Sequence, residues 1–179
     1  MDAGDRYEAG GRADEGLRWR SMTADDLDAV AELAVLGFPN HFEGRPCFEN
    51  RLALFPRGCF VLAEPDGPPR GYLVAYPWRA DAAPTLNTLI AALPEDATVF
   101  YLHDIALCPD ARGAHRSRAI IERLADQARA DGWPEIALVA VNEAAGFWAR
   151  HGFSVRDTPD MAAKLASYGP EARYMVRPL

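Results

Sequence analysis

The sequence has no long apolar run, few cysteines and no excess of basic residues. No stretch approaches the roughly 20 apolar residues that span a bilayer, and residues 1–16 are polar, without the apolar core of a secretory signal. Cys47, Cys59 and Cys108 lack the paired spacing of a zinc site or a disulfide framework. These absences predict a cytoplasmic protein of a reducing compartment, with no membrane association and no bound metal.

Charge and motif content exclude further classes of protein. The net charge of −7 makes nonspecific binding to nucleic acid unfavourable. The sequence contains no GxxxxGK[ST] loop, GxGxxG fingerprint, GxSxG elbow or HExxH helix. Its hydrophobic fraction of 49% is that of a folded domain. We expect residues 1–16 to be a disordered leader and residues 17–179 to form a single domain.

The first half alternates short apolar segments with turn residues. Residues 17–22 are predicted to be extended, and Thr23 is placed to cap a helix that ends at Gly37. A second helix is predicted over 48–55, and two apolar runs within 59–78 predict a β-hairpin. Residues 79–96 contain two prolines and a helix-like apolar patch, which indicates an insertion or an active-site loop.

The second half contains a strand–helix–strand unit. Residues 98–107 predict a strand, residues 117–131 an amphipathic helix, and residues 135–141 a buried strand. A short connection of this kind places the two strands parallel in one sheet. Asn142 is predicted to cap a short helix through residue 151, and further strands are expected from Phe153 and over 173–177.

The junction between that strand and its helix is a candidate anion site. The first amides of a helix lack intrahelical partners and carry positive partial charge, so a phosphate binds there readily. A solvated basic turn is the alternative. The seven residues at the junction are Arg112, Gly113, Ala114, His115, Arg116, Ser117 and Arg118.

Residues 101–153 resemble the core of the GNAT superfamily of N-acetyltransferases. The matching positions are Ile105–Leu107, Pro109, Arg112, Gly113, Ser117, Asn142, Ala145, Phe147, Gly152 and Phe153. The resemblance implies an α/β (α+β) fold with a mixed, twisted sheet of six to seven strands flanked by about four helices. It also implies acetyl-CoA as acyl donor and direct transfer to an amine, with no metal. Dimers are frequent among proteins that the chain resembles, so a homodimer is one option.

The same resemblance implies that acetyl-CoA lies along the end of the strand over 98–107, the loop over 112–118 and the junction after the strand over 135–141. The residues implied are Ile105, Ala106, Leu107, Arg112, Gly113, Ala114, His115, Arg116, Ser117, Arg118, Asn142, Phe147 and Trp148. His115 and Ser117 depart from the small-residue loop, so the side chain at 115 must point away from the phosphates or contact one as a cation. Trp148 stands where many relatives carry a tyrosine acid, and an indole cannot donate a proton to a thiolate.

Side-chain alternation along the strand predicts that Tyr101, His103 and Ile105 share one face, with Leu102, Asp104 and Ala106 on the other. His103 lies where arylalkylamine acetyltransferases place a catalytic histidine, which makes it the candidate general base. Asp104 is the second candidate for the base, but its predicted position on the opposite face of the strand favours an orienting role. Tyr101 is a candidate acid for the leaving thiolate. Attack by Cys108 through an acyl-enzyme is the alternative mechanism.

The acceptor is not identified by the sequence. The resemblance places its pocket in residues 38–55 and 79–96. Candidate lining residues, which would serve equally as core, are Phe38, His41, Phe42, Glu43, Phe48, Glu49 and Trp78. An active N-acetyltransferase is the leading hypothesis, and a catalytically weakened acyl-CoA sensor is the alternative that the altered loop and Trp148 favour.

Overall fold

In the computed structural model, residues 16–113 and 115–179 are described. They form one seven-stranded sheet in the order β1-β2-β3-β4-β5-β7-β6, with β4 and β5 parallel and the other neighbours antiparallel. The strands are β1 (Arg18–Ser21), β2 (Cys59–Ala63), β3 (Gly71–Trp78), β4 (Val99–Leu107), β5 (Glu135–Ala140), β6 (Ser154–Val155) and β7 (Arg173–Pro178). The expected leader, apart from Gly16, and Ala114 of the loop lie outside the described residues.

Five α-helices flank the sheet within the described part of the chain. They are α1 (Leu27–Gly37), α2 (Arg45–Leu54), α3 (Arg116–Ala130), α4 (Ala145–Ala149) and α5 (Pro159–Tyr168). The mixed α/β architecture, the hairpin and the parallel unit predicted from the sequence are confirmed. None of the helices found in the two described ranges is long and apolar enough to cross a membrane.

The structure contains one helix that was not predicted and contradicts one predicted helix cap. Helix α5 was not expected, although Pro159 at its first turn and Gly169 after its end are helix boundary signals. Asn142 does not cap α4, because it adopts a left-handed conformation with φ of 54° and the helix begins after Ala144. The apolar patch in residues 79–96, assigned from the sequence to an insertion or active-site loop, is irregular, and the side chain of Asn50 binds both the backbone N–H and the carbonyl of Ile90.

The parallel pair β4–β5 separates early. Its register contains Phe100 opposite Ile136 and Tyr101 opposite Ala137, after which β4 continues to Leu107. Helix α3 packs beneath both strands through an apolar stripe at helical spacing, which keeps their first residues together. The stripe consists of Ile120, Ile121, Leu124, Ala125 and Ala128, all buried. The two strands therefore diverge toward the start of α3.

A β-bulge in β4 changes the side-chain alternation that the sequence predicted. Val74 of β3 pairs with Asp104, but the next residue of β3, Ala75, pairs with Leu102, so His103 is an extra residue in β4. Before the bulge, Tyr101 packs into the core on the side of α1 and α2, here called the α1 face. After it, Ile105 packs on the opposite side, against α3, here called the α3 face.

The prediction that Asp104 and His103 lie on opposite faces is therefore wrong. The carboxylate of Asp104 contacts the hydroxyl of Tyr72, and the ring of His103 lies against Tyr76; both tyrosines belong to the core of the α1 face. Ala106 also packs on the α1 face, and Leu102 on the α3 face. A single inserted residue thus brings the two titratable side chains to the same side of the sheet.

We predict that Gly58→Ala destabilises the fold. A Cβ at Gly58 would lie 1.9 Å from the backbone carbonyl oxygen of Ala75. Backbone must move to relieve this contact, and overpacking of this kind costs about 1–3 kcal/mol in the free energy of unfolding. The measurement is the midpoint of urea denaturation. Gly146→Ala in α4 is the control, because its Cβ would meet only Arg150 at 3.9 Å. Equal midpoints for the Gly58→Ala protein and the wild type would contradict the prediction.

Candidate active site

A cavity of about 640 Å³ lies where β4 and β5 separate. Both strands, the turn after β4, the start of α3, α4 and α1 contribute to its walls, together with single residues from the long connections. The contributions of β4 run without a break from Tyr101 to Leu107, which includes every residue proposed as catalytic from the sequence. The opening between the strands therefore exposes the interior of the sheet to a ligand.

The loop after β4 contributes Arg112, Gly113 and Ser117 to the cavity wall. Gly113 has φ of 96°, a conformation that favours glycine and lets the backbone turn into α3. His115 has φ of 58° and is exposed, so its side chain lies outside the cavity wall.

Two arginines of the predicted anion site have other positions. Arg116 is buried at 8% exposure, and its guanidinium donates to the carbonyl of Ala111 at 3.1 Å. Its own carbonyl accepts a hydrogen bond from the indole of Trp19 at 3.0 Å. Arg118 is exposed and lies outside the cavity wall. Arg116 therefore supports the turn from beneath, and Arg112 is the arginine that faces the cavity.

On the β5 side, the wall is apolar. Val141, Ala144, Phe147 and Trp148 contribute to it, whereas Asn142 does not. The indole of Trp148 is 6% exposed and packs edge-on against Phe147 at 5.0 Å and Phe153 at 5.3 Å between ring centroids. Trp148 thus packs between the cavity and the core of the α3 face.

Buried titratable groups lie at the α1 face of β4. His103 Nε2 is 2.5 Å from Glu43 Oε2, and the two side chains are 4% and 5% exposed. The other oxygen of Glu43 accepts a hydrogen bond from the backbone N–H of Asn87 at 3.1 Å and lies 3.9 Å from Arg51 Nη2. Burial alone would raise the pKa of Glu43, but His103, the Asn87 amide and Arg51 together hold it below its usual range.

Asp104 has an environment that raises its pKa to about 7. The cause is burial, opposed in part by the nearby imidazole of His103 and by the hydroxyl of Tyr72, which donates to Asp104 Oδ2. Burial also raises the pKa of Tyr101 well above its usual value, so its phenol keeps its proton. Asp104 therefore exchanges its proton near neutral pH, while Tyr101 is a neutral donor in the cavity wall.

Of the candidate acceptor residues, Phe38, His41 and Glu43 line the cavity. Phe48 and Trp78 pack into the core of the α1 face. Phe42 is 57% exposed, and Glu49 forms a surface ion pair with Arg45 at 3.1 Å.

Leu33, Leu36, Leu86 and Tyr168 are among the lining residues that the sequence reasoning missed. Tyr168 ends α5, the helix whose boundary signals were overlooked. Cys108 is not in the wall, which leaves the acyl-enzyme alternative without support from the cavity. Within residues 16–113 and 115–179, no three His, Cys, Asp or Glu side chains are grouped to hold a metal ion.

We predict that Asp104→Asn changes how stability depends on pH. An unfolded aspartate ionises near pH 3.9, but Asp104 in the folded protein stays protonated up to about pH 7. Between these values the folded state binds more protons, so its stability falls as pH rises and then levels off above pH 7. Asparagine cannot ionise, so the variant should gain stability relative to the wild type between pH 5 and pH 8.

The measurement is the urea midpoint of both proteins at the two pH values. Asp66→Asn, at an exposed position in the β2–β3 turn, is the control and should follow the wild type. A constant difference between the Asp104→Asn protein and the wild type from pH 5 to pH 8 would show that Asp104 is ionised throughout, contrary to the prediction.

Several solved structures have the same fold. The GphF GNAT-like decarboxylase in complex with isobutyryl-CoA has a TM-score of 0.71 and 17% identity, over 90% of this chain and 98% of that one. Ard1 from Thermoplasma volcanium has a TM-score of 0.68 and 15% identity, over 92% and 98%. Naa20 from Chaetomium thermophilum, in complex with a bisubstrate analogue, has a TM-score of 0.67 and 17% identity, over 90% and 86%.

Sequence comparison identifies the family. No curated protein matches the chain by sequence. The family model described as Acetyltransferase (GNAT) family matches residues 27–153, which include α1, the bulged strand β4, the loop at Arg112 and Gly113, and the packing residue Trp148. The chain therefore belongs to the GNAT family of acetyltransferases.

Proposed function

We propose that the protein transfers an acetyl group from acetyl-CoA directly to an amine, without a covalent enzyme intermediate. The supporting observation is a single cavity that joins the loop of Arg112 and Gly113 to the buried side chains of Glu43, His103 and Asp104. Transfer from an acyl-CoA needs a site for phosphates, and attack by an amine needs a group that takes its proton. Residues suited to both requirements line the same cavity.

The donor would bind along the diverging part of β4 and the start of α3. Arg112 and the backbone around Gly113 and Ser117 suit the diphosphate, because a helix N-terminus and an arginine both favour an anion. Beyond Tyr101, the edge of β4 toward β5 has no partner in the strand register of the described residues, so the backbone of residues 105–107 can pair with the pantetheine amides. Phe147 and Trp148 supply an apolar wall.

The acceptor amine must lose a proton to attack, since an alkylamine has a pKa of about 10 in water. We assign His103 as the general base and Glu43 as its positioning residue. A carboxylate 2.5 Å from Nε2 favours a proton on that nitrogen, so Nδ1 carries the lone pair in the form that acts as base. Nδ1 is buried and has no hydrogen-bond partner in the described residues. It can therefore accept the proton, directly or through one water molecule.

Two further roles are stabilisation of the thioester carbonyl oxygen and protonation of the departing sulfur. Negative charge develops on the carbonyl oxygen as the amine attacks, and backbone N–H groups at a bulge point away from the regular ladder and can stabilise it. The departing thiolate has a reference pKa of about 8.5 and leaves readily. Tyr101 lines the cavity and keeps its proton, so it is the candidate donor to the sulfur, a role that Trp148 cannot perform.

We predict that the protein binds coenzyme A and releases free thiol from acetyl-CoA when amines are added. Binding is measured by calorimetry, and thiol release by a colorimetric reagent over a panel of primary amines. Arg112→Ala should weaken coenzyme A binding by about tenfold, because a charge-assisted contact to phosphate is lost. Arg18→Ala, on the edge strand β1, is the control.

Binding without thiol release on a broad panel would contradict catalysis. It would favour the second candidate function, an acyl-CoA sensor, which the missing tyrosine acid at Trp148 also suggests. No binding at all would contradict both functions.

We predict that His103→Ala lowers kcat by about 100-fold or more, the lower range for loss of general base catalysis. Glu43→Gln should lower it less, because the amide keeps the ring contact but no longer stabilises a protonated imidazole. The control is Glu49→Gln on the exposed side of α2, which should retain wild-type kcat.

The affinity for coenzyme A, measured on each variant, separates lost chemistry from lost folding. An unchanged kcat in the His103→Ala protein would contradict the assignment. Asp104, which shares the α1 face and has a pKa of about 7, would then be the base to test by Asp104→Asn.

A further inference from the structure

The part of the cavity wall away from the phosphate loop is formed by other elements and is mostly apolar. It is built from α1, the segment that follows α1, the connection between β3 and β4, and the end of α5. The side chains in this part, here called the acceptor wall, are Leu33, Leu36, Phe38, His41, Leu86 and Tyr168. Four of the six are aliphatic or phenyl groups with no polar atom, so this wall favours an apolar ligand surface.

Each of the other two residues has one side-chain polar atom engaged within the protein. His41 Nε2 lies 2.8 Å from the backbone carbonyl of Tyr168, and the two rings stack with their centroids 5.9 Å apart. The hydroxyl of Tyr168 donates to the carbonyl of Pro84 at 3.1 Å, and burial raises its pKa to about 12, so it stays neutral. The wall therefore presents ring surfaces to a ligand, and His41 Nδ1 is an acceptor without a hydrogen-bond partner in the described residues.

The charged groups near the acceptor wall are acidic. Glu43 and Asp104 line the cavity beneath it. Arg112, the one arginine or lysine among the described lining residues, belongs to the phosphate loop. Arg51 lies behind Glu43, is 2% exposed, and donates to the carbonyl of Thr88 at 2.7 Å and to Asn50 Oδ1 at 2.8 Å. A carboxylate or phosphate on the acceptor would thus be desolvated beside two acidic side chains, without a cation to pair with.

We propose that the acceptor is a primary amine on an apolar body that carries no anionic group. This proposal rests on the proposed function and specifies its substrate class. The ammonium form of such an amine is attracted by Glu43, and by Asp104 when that side chain is ionised, and its body replaces water against the acceptor wall. Amino acids and phosphorylated amines are disfavoured, because their anionic group has no partner there.

The test uses three probes that differ at one substituent: phenethylamine, phenylalanine and phenylalanine amide. Their binding to the coenzyme A complex is measured by calorimetry, which does not require turnover. We expect phenethylamine and the amide to bind more tightly than phenylalanine by about tenfold or more, since only phenylalanine carries a carboxylate. Equal binding of phenethylamine and phenylalanine, an amide as weak as phenylalanine, or no detectable binding of any probe would overturn the proposal.

A pair of surface variants tests the charge argument on the protein side. Leu36 lines the cavity yet is 77% exposed, so Leu36→Arg adds a cation at the rim without disturbing the core. Val35, its neighbour on α1, is 48% exposed and outside the wall, which makes Val35→Arg the matched control. We compare the ratio of the affinity for phenylalanine to the affinity for phenethylamine. In the Leu36→Arg protein this ratio should be about threefold higher than in the wild type, which corresponds to one partly exposed ion pair. The Val35→Arg protein should keep the wild-type ratio.

An unchanged ratio in the Leu36→Arg protein would overturn the placement of the acceptor against this wall. Failure of this proposal about the acceptor can be distinguished from failure of the proposed transferase function. Binding of phenethylamine without thiol release contradicts the transferase and leaves the ligand class standing, whereas release of thiol with phenylalanine as efficiently as with phenethylamine contradicts the ligand class alone.

Discussion

The extra residue that β4 holds at His103 determines where the reactive side chains of the cavity lie. In an uninterrupted strand, His103 and Asp104 would point to opposite faces of the sheet. The bulge turns both toward the α1 face, where Glu43 and Tyr72 provide their partners. It also lies just beyond the last registered pair with β5, so the altered part of β4 borders the opening between the strands. Strand geometry thus places the titratable groups beside the cavity.

The burial of these groups is tolerated because each has a specific partner. Glu43 is 5% exposed and would be strongly destabilised as an isolated anion, but His103, Arg51 and the amide of Asn87 surround it. Asp104 has the hydroxyl of Tyr72 and the backbone N–H of Ile105 as partners and no arginine, so burial dominates and its pKa rises to about 7. Glu43 and Asp104 are both buried, but their partners differ. Glu43 therefore stays ionised, whereas Asp104 exchanges its proton near neutral pH.

The sequence predicts the fold better than the contacts within the site. The unit β4-α3-β5 follows from the periods of its apolar residues, since α3 needs a buried stripe and β5 is covered on both faces. The bulge has no comparable signal, because neither glycine nor proline marks residue 103. The contact between Glu43 and His103 joins residues 60 positions apart, and only the packing of the α1–α2 connection against β4 creates it. Tertiary geometry of this kind leaves no trace in local patterns.

Of the three arginines predicted for an anion site at the start of α3, only Arg112 lines the cavity. Arg116 and Arg118 lie in the first turn, where positive charge opposes the helix dipole, and no acidic residue of that turn offsets them. The guanidinium of Arg116 donates to the carbonyl of Ala111, whereas Arg112 lines the cavity. An anion next to Arg112 and the first amides of α3 would remove that unfavourable charge. The start of α3 therefore favours a negatively charged ligand, which supports the proposal that the diphosphate of coenzyme A binds there.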